Sequence, residues 1–187
     1  NELIAEEGQQ LIGWRTAPTN AATLRKSAKD TAPFVRQLFI GAVGVEGLAF
    51  ERKLYIIRKQ VEHWATGQGF TFYCPSMSSR TMVFKGLLNP EEVSTFYEDL
   101  QHEQFVSAFA LVHSRYSTNT FPSWQRAHPN RYIIHNGEIN TLRGNMNWMR
   151  AREQRFVSDA FGDDLQKLLP IIDETGSDSS MLDNAFE

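Results

Sequence analysis

The sequence predicts an α+β fold in which helices pack on antiparallel strands. Three observations carry this. Leu54, Ile57, Val61 and Trp64 fall on one face of a helix, and "NPEEVSTFYEDL" holds a complete helix start. "FTFYC", "FVSAFALV" and "RYII" are apolar runs of strand length. Neither a strand–GxGxxG–helix pattern nor GxxxxGK[ST] joins them, which argues against a nucleotide site in this segment.

Taken in order, residues 3–13 read as an amphipathic helix on the spacing of Ile4, Leu11 and Ile12, followed by an extended "WRTAP". Residues 19–32 are small and polar and read as an exposed loop. "FVRQLFIGAV" (34–43) reads as a strand and "GVEGLAF" (44–50) as a loop. The helix through Leu54–Trp64 is stopped by "GQG" at 67–69. "FTFYCPSM" and "RTMVFKG" read as a hairpin across "PSMSS", with Phe70, Phe72 and Cys74 on one face. In the next helix Asn89 is the N-cap, Pro90 takes the first helical position, and Glu91 and Glu92 favour the positive end of the dipole. Val93, Phe96, Tyr97 and Leu100 form its apolar stripe.

"FVSAFALVHSRYS" (105–117) begins as a nearly continuous apolar run, the pattern of a central strand buried on both faces, and "RYIIH" reads as another strand. "TLRGNMNWMRAREQRF" reads as a helix with Leu142, Met146 and Met149 on one face. "DDLQKLLPII" reads as a short helix stopped near Pro170, and Ser177 or Asp178 caps a last helix.

Hydrophobic residues make up 41% and charged residues 22%, enough apolar content for a core. The net charge of −3 argues against a phosphate-tracking nucleic-acid binder. No apolar run approaches the ~20 residues of a membrane span, and no secretory signal is visible. The single cysteine, Cys74, permits no internal disulfide and fits a reducing compartment. The chain opens on Asn1 within a helix-like pattern and breaks off within another, so it reads as a fragment of a longer protein.

Polar groups gather where apolar runs end: "HSRYSTNTFPSW" (113–124), "HNGEIN" (135–140) and "GSDSS" (176–180). The Arg115 guanidinium is a rigid fork suited to a carboxylate, and equally to a surface Asp or Glu. Thr118 and Asn119 are small donors beside it, or simply turn formers. Asn136 can donate through its amide and Gly137 through its backbone, together an oxyanion hole. Asn-Gly is also the sequence of a tight hairpin turn, but "TLRGNMNWM" downstream is helical rather than a returning strand. Asp178 can hold an ammonium group or cap a helix. Cys74 sits in an alternating apolar run before Pro75, the setting of a small buried hydrophobe rather than a nucleophile. His63, His102, His113, His128 and His135 have no metal-ligand spacing, so no metal site is expected; His113 and His135 both lie at strand ends and could meet.

"HSRYSTNTFPSWQRAHPNRYIIHNGEINTLRGNMNWMRARE" resembles the glutamine amidotransferase domain of the glutamate synthase large-subunit family. H-x-R-[YW]-[SA]-T followed by an HNG motif is the general pattern of class II, N-terminal-nucleophile glutaminases. "STNTFPSW" and "NTLRGNMNWMRARE" are closer to glutamate synthases than to other class II amidotransferases, and "LYIIRKQVE", "FYCPSMSSRTMVFKG" and "SDSSMLDNAFE" resemble the same family. The resemblance implies that residues 1–187 form part of one amidotransferase domain, a four-layer αββα sandwich here incomplete at its N-terminal side. It implies that Arg115, with Thr118, grips the α-carboxylate of glutamine, that Asn136 and Gly137 hold the oxyanion, and that Asp178 binds the α-ammonium. The family's nucleophile is a cysteine at the mature N-terminus, so it is expected upstream of Asn1. The resemblance further implies FMN and an iron–sulfur cluster in the full-length enzyme and none in this segment. The implied partners are the rest of the large subunit and a small electron-donating subunit or ferredoxin, in the cytoplasm or a plastid. Another class II amidotransferase, or a glutamine-binding regulatory domain, are the alternatives.

Overall fold

A computed structural model of the chain describes residues 1–115, 121–135 and 137–187. The chain is α+β, with helices predominating over a two-stranded sheet, and its residues gather into two compact units. One comprises residues 1–13, 39–82 and 140–174; the other comprises 14–38, 83–139 and 175–187.

The first unit is organised by its longest helix. The N-terminal α1 (Glu2–Glu6) is short, and β1 (Gln10–Thr16) follows it, in place of the helix expected through residue 13. Gly8 is the reason. It takes φ +71°, and the Gly8 and Gln9 amides bond the carbonyls of Ala5 and Ile4 at 2.9 Å, the paired bonds of a Schellman stop. Beyond the stop, Ile12 and Gly41 lie in contact, β1 pairing with β2 (Arg36–Gly41), the strand expected there. Between the strands in sequence, and belonging to the second unit, 19–32 is not all loop: α2 (Lys26–Asp30) forms and buries Ala28, while Leu24 is buried just before it.

Helix α3 (Gly47–Gly67) starts inside the segment read as a loop and ends where "GQG" predicts. Its stop repeats that of α1: Gly69 is at φ +72°, its amide bonds Thr66, and the Phe70 amide bonds Ala65 at 2.9 Å. Phe70 lies against Trp64 with ring centroids 5.5 Å apart, the apolar contact that accompanies this cap. Phe50, Leu54 and Ile57 are buried on α3, but Val61 is only half-buried and Trp64 is exposed. The core face instead turns toward Ile56 and Ala65, and it is met by Ile4 of α1 and by Leu165 and Leu168 of a 3-10 helix (Gly162–Leu168).

Polar contacts lock this packing. The Glu7 carboxylate, withdrawn from water, accepts from Lys53 Nζ (2.9 Å), Gln60 Nε2 (2.9 Å) and Lys167 Nζ (2.7 Å). Asp164 accepts from the same two lysines at 2.9 and 2.6 Å. Burial pushes the Glu7 carboxyl upward, but the bonds from Lys167, Lys53 and Gln60 outweigh it and hold it below 4.5. Glu51 accepts from Ser78 Oγ at 2.7 Å and from the Ser79 amide at 2.9 Å, tying the 78–79 turn to α3.

The hairpin expected over 70–86 does not form: no residue from 70 to 86 enters a ladder. Alternation marks two faces, but a strand also needs a neighbouring backbone to bond. The apolar run from 105 likewise forms no strand, and Val106 and Phe109 stand 85% and 74% exposed.

In the second unit α4 (Pro90–Phe96) has the expected start. The Asn89 amide donates to Glu92 Oε2 at 2.7 Å in a capping box, and Pro90 takes the first turn. A 3-10 turn (Glu98–Gln101) continues the pattern, with Phe96 and Tyr97 buried. Phe96 packs on Tyr97 and Trp124 (centroids 4.8 and 5.1 Å), and Phe84 packs on Tyr97 at 5.1 Å. Trp124 Nε1 donates to the carbonyl of Ala28, the one buried residue of α2, at 3.2 Å. Gly86 lies against the Trp124 ring, where a Cβ would collide. The helix α5 (Leu142–Glu153) belongs to the first unit and half-buries Leu142, Met146 and Met149 as expected. The last helix, α6 (Asp178–Phe186), is capped by Ser177, whose Oγ accepts from the Ser180 amide at 3.1 Å.

Replacing Glu7 with Gln sets an amide against two lysines and is expected to cost about 1–3 kcal/mol. Carboxyls held low stabilise above their unfolded values, here 4.5 for Glu7 and 3.8 for Asp164, and that contribution fades as pH falls through the lower folded values. Lys53 and Lys167, held above 10.5, contribute below that value and lose it as pH rises through the folded one. Unfolding midpoints followed from pH 3 to pH 7 (~1 unit steps) therefore fall less steeply on the acid side in E7Q than in the wild type. Parallel curves would assign Glu7 no linked role.

Candidate active site

The site is built where the 131–139 loop meets α6. Asp183 on α6 is almost wholly buried. One of its oxygens, Oδ2, accepts from the Arg131 amide at 3.0 Å, and Oδ1 accepts from the Tyr132 and Ile133 amides at 2.8 and 3.0 Å. These donors are therefore committed to a carboxylate, and "RYIIH" runs as a loop instead of the expected strand. The Asn130 amide closes the turn on the Ile133 carbonyl at 3.1 Å.

One turn nearer the start of α6, Asp178 is half-buried. Its Oδ2 accepts from the Ile139 amide at 2.6 Å and its Oδ1 from the Ser179 amide at 2.7 Å. Ser179 Oγ, fully buried, lies 3.3 Å from His135 Nδ1. Both ends of the His135–Ile139 segment are thus fastened to the first turn of α6, with Gly137 between them. A Cβ on Gly137 would come within 3.3–3.4 Å of the His135 ring, so glycine lets loop and imidazole lie close. Ser177 caps the helix at the Ser180 amide, and the Asp178 carboxylate divides its two oxygens between the loop, at Ile139, and the Ser179 amide of its own first turn.

Arg115 is exposed, and its backbone is held by two histidines. His113 Nδ1 lies 3.1 Å from the Arg115 amide and 2.8 Å from its carbonyl, and His128 Nδ1 lies 3.2 Å from the same carbonyl. The two imidazoles stack with centroids 4.5 Å apart. His113 therefore meets His128 rather than His135. Burial, and then His113, hold the His128 pKa below 6.5, with Lys85 and His135 adding to the depression and the Arg115 carbonyl opposing it. Lys85 is buried in the same unit; burial and then Arg131 lower its ammonium to about 8, against the pull of Asp183.

Of the residues expected at the site, Gly137 and Asp178 come together through the 135–139 loop, and Arg115 is fixed beside His113 and His128. Thr118 and Asn136 lie outside the described residues. Cys74 Sγ donates to the Ser76 carbonyl at 3.3 Å. Among the described residues no group of three or more His, Cys, Asp or Glu side chains is placed to hold a metal ion. Asp183, Ser179, His128 and Lys85 are the members that sequence reasoning passed over. A carboxylate inside the apolar run "MLDNAF" was the visible signal for Asp183.

The model of the family described as glutamine amidotransferases class-II matches residues 1–187. The chain belongs to the class II glutamine amidotransferases. It is 65% identical over 189 residues to the glutamate synthase [NADPH] large chain of Bacillus subtilis (strain 168), across 100% of this chain. It is 45% identical over 182 residues to the glutamate synthase [NADPH] large chain of Azospirillum brasilense, across 96% of this chain. To the chloroplastic ferredoxin-dependent glutamate synthase of Spinacia oleracea it is 41% identical over 190 residues, again across 100% of this chain. The chain spans 12% of the length of each of these relatives. Within this amidotransferase segment, then, two α6 residues, Ser179 and Asp178, bond His135 and Ile139.

Replacing Asp183 with Asn leaves one acceptor oxygen and turns an NH₂ toward a backbone donor. Amide hydrogen exchange at residues 131–133 is expected to speed up at least tenfold, the counterpart of about 1.4 kcal/mol or more. Unaltered protection there would mean that the loop is held by something other than this carboxylate.

Proposed function

We propose that this chain is the glutamine-binding part of the ammonia-releasing glutaminase of a glutamate synthase large chain. The observation that carries the proposal is the fastening of His135–Ile139 to Asp178 and Ser179. It joins the expected oxyanion segment to the expected ammonium partner in one structural piece.

Asp178 receives the α-ammonium of glutamine. A carboxylate has about four acceptor positions, so the backbone bonds that orient it are compatible with a charged donor alongside. Arg115, with Thr118, grips the α-carboxylate through its planar fork. Asn136 and the Gly137 amide hold the oxyanion that forms when a thiolate adds to the side-chain amide of glutamine. Collapse of that adduct expels ammonia, and water then releases glutamate from the thioester. The thiolate is assigned to a cysteine outside these residues, because the Cys74 amine is part of a peptide bond and its Sγ bonds the Ser76 carbonyl.

Residues 1–187 are read as part of one such domain with the αββα sandwich of N-terminal-nucleophile hydrolases. The exposed apolar side chains of Val106, Phe109 and Val112 support this, since a sandwich would cover them. An iron–sulfur cluster takes several cysteine thiolates and this chain has one, so its residues do not fit such a cluster. FMN and the cluster, which would reduce the adduct of ammonia with 2-oxoglutarate, are assigned to the rest of the protein. Relatives named for NADPH, NADH and ferredoxin all match nearly the whole of this segment, so the choice of a small subunit or ferredoxin as donor is assigned elsewhere too. No helix among the described residues is long and apolar enough to cross a membrane. Cytoplasm, or a plastid, is the proposed compartment.

In the full-length protein Asn136→Ala is expected to lower glutaminase kcat by ~10²–10³-fold, the loss typical of one oxyanion donor. Undiminished turnover would remove Asn136 from the reaction. Arg115→Ala is expected to raise the KM for glutamine while kcat changes little. If glutamine affinity is the same in the variant, the carboxylate grip is wrong.

A further inference from the structure

We infer that His128 is a positioning residue for Arg115, setting affinity for the amino-acid carboxylate by fixing the Arg115 backbone. This rests on the reading of Arg115 as the glutamine carboxylate clamp. The two residues are 13 positions apart in sequence, yet the His128 ring lies on the Arg115 carbonyl.

The chemistry of that contact has one direction. A carbonyl oxygen only accepts, so His128 Nδ1 must carry the proton and donate across the 3.2 Å separation. The ring is buried, which shields the bond from competing water. Its other nitrogen, Nε2, is a buried acceptor with no hydrogen-bond partner among the described residues, so the Arg115 bond is what sets the tautomer. The low pKa of His128 keeps the ring in this neutral form at neutral pH.

His113 completes the clamp from the other side. Its Nδ1 is within bonding distance of both the Arg115 amide and the carbonyl, so either tautomer grips the Arg115 backbone. The half-buried His113 ring lies against the buried His128 ring, 4.5 Å away and tilted by 37°. Arg115 itself is exposed. A long cationic side chain on an unfixed backbone loses much rotational freedom when it binds, and a fixed backbone removes part of that cost beforehand. The two imidazoles do for Arg115 what hydrogen-bonding neighbours do for the ligands of a metal. They touch neither substrate nor reacting atoms, so the effect belongs in binding rather than in the chemical step.

The test uses the full-length enzyme and steady-state glutaminase kinetics. His128→Leu keeps volume and deletes the donor; it should raise the KM for glutamine about tenfold and leave kcat within about threefold, as loss of one hydrogen bond predicts. His128→Gln restores an amide donor of similar reach and should return KM to within about threefold of wild type. His113→Phe keeps the stack without the ring nitrogens and should raise KM in the same sense, which preserves the test if the Leu variant fails to fold. On an Arg115→Ala background His128→Leu should add nothing further to KM. An unchanged KM in both His128→Leu and His113→Phe, or equal losses in His128→Leu and His128→Gln, would overturn the inference. An unchanged KM in Arg115→Ala alone would instead overturn the reading of Arg115 as the clamp.

Discussion

Asp183 is the constraint from which the geometry of the site follows. A carboxylate taken out of water must find donors, and here it finds the successive amides of residues 131–133. That one side chain decides that "RYIIH" is a loop anchored to a helix and not a ladder partner. It also decides where His135 begins. Because Asp178 and Ser179 sit on the same helix, fixing the loop at Asp183 presents the next residues to them in register. His135 and Ile139 are then each bonded to α6, and Gly137 lies close to the His135 ring.

The first unit solves a similar problem with the opposite balance of charge. Glu7 is a lone buried carboxylate, and two lysines and a glutamine converge on it from α3 and the 3-10 turn. Lys53 is half-buried and Lys167 exposed, so neither is fully desolvated while Glu7 supplies the buried anchor. The bonds reach from α1 to α3 and to the 160s turn, the same elements whose apolar side chains make the core. Polar and apolar contacts therefore specify one packing together.

Parts of this were legible residue by residue. Asn89 and Pro90 announced α4, "GQG" announced the end of α3, and Leu142, Met146 and Met149 announced the inner face of α5. Gly8 carries the same stop signal as Gly69, but the helical spacing of Ile4, Leu11 and Ile12 masks it in the sequence. Phe70, Phe72 and Cys74 alternate as in a strand, but no described backbone offers them a ladder. Arg115, Gly137 and Asp178 stand out in the sequence as candidates because of the motifs that hold them. His128 and Asp183 were not, since each acts by bonding a backbone group of residues far off in the chain.

The sequence by itself determined the start of α4, the cap of α6, the end of α3, the inner face of α5 and the family. A helical hydrogen bond joins residues four apart, and a cap lies within a turn, so both are written locally. A long motif likewise needs no neighbour to be recognised. Only the tertiary structure decided which apolar runs pair and which acceptor each loop amide meets. Strand bonds and buried carboxylates take their partners from distant segments, 50 residues away for Asp183 and Ile133, and one-dimensional pattern holds no record of that distance.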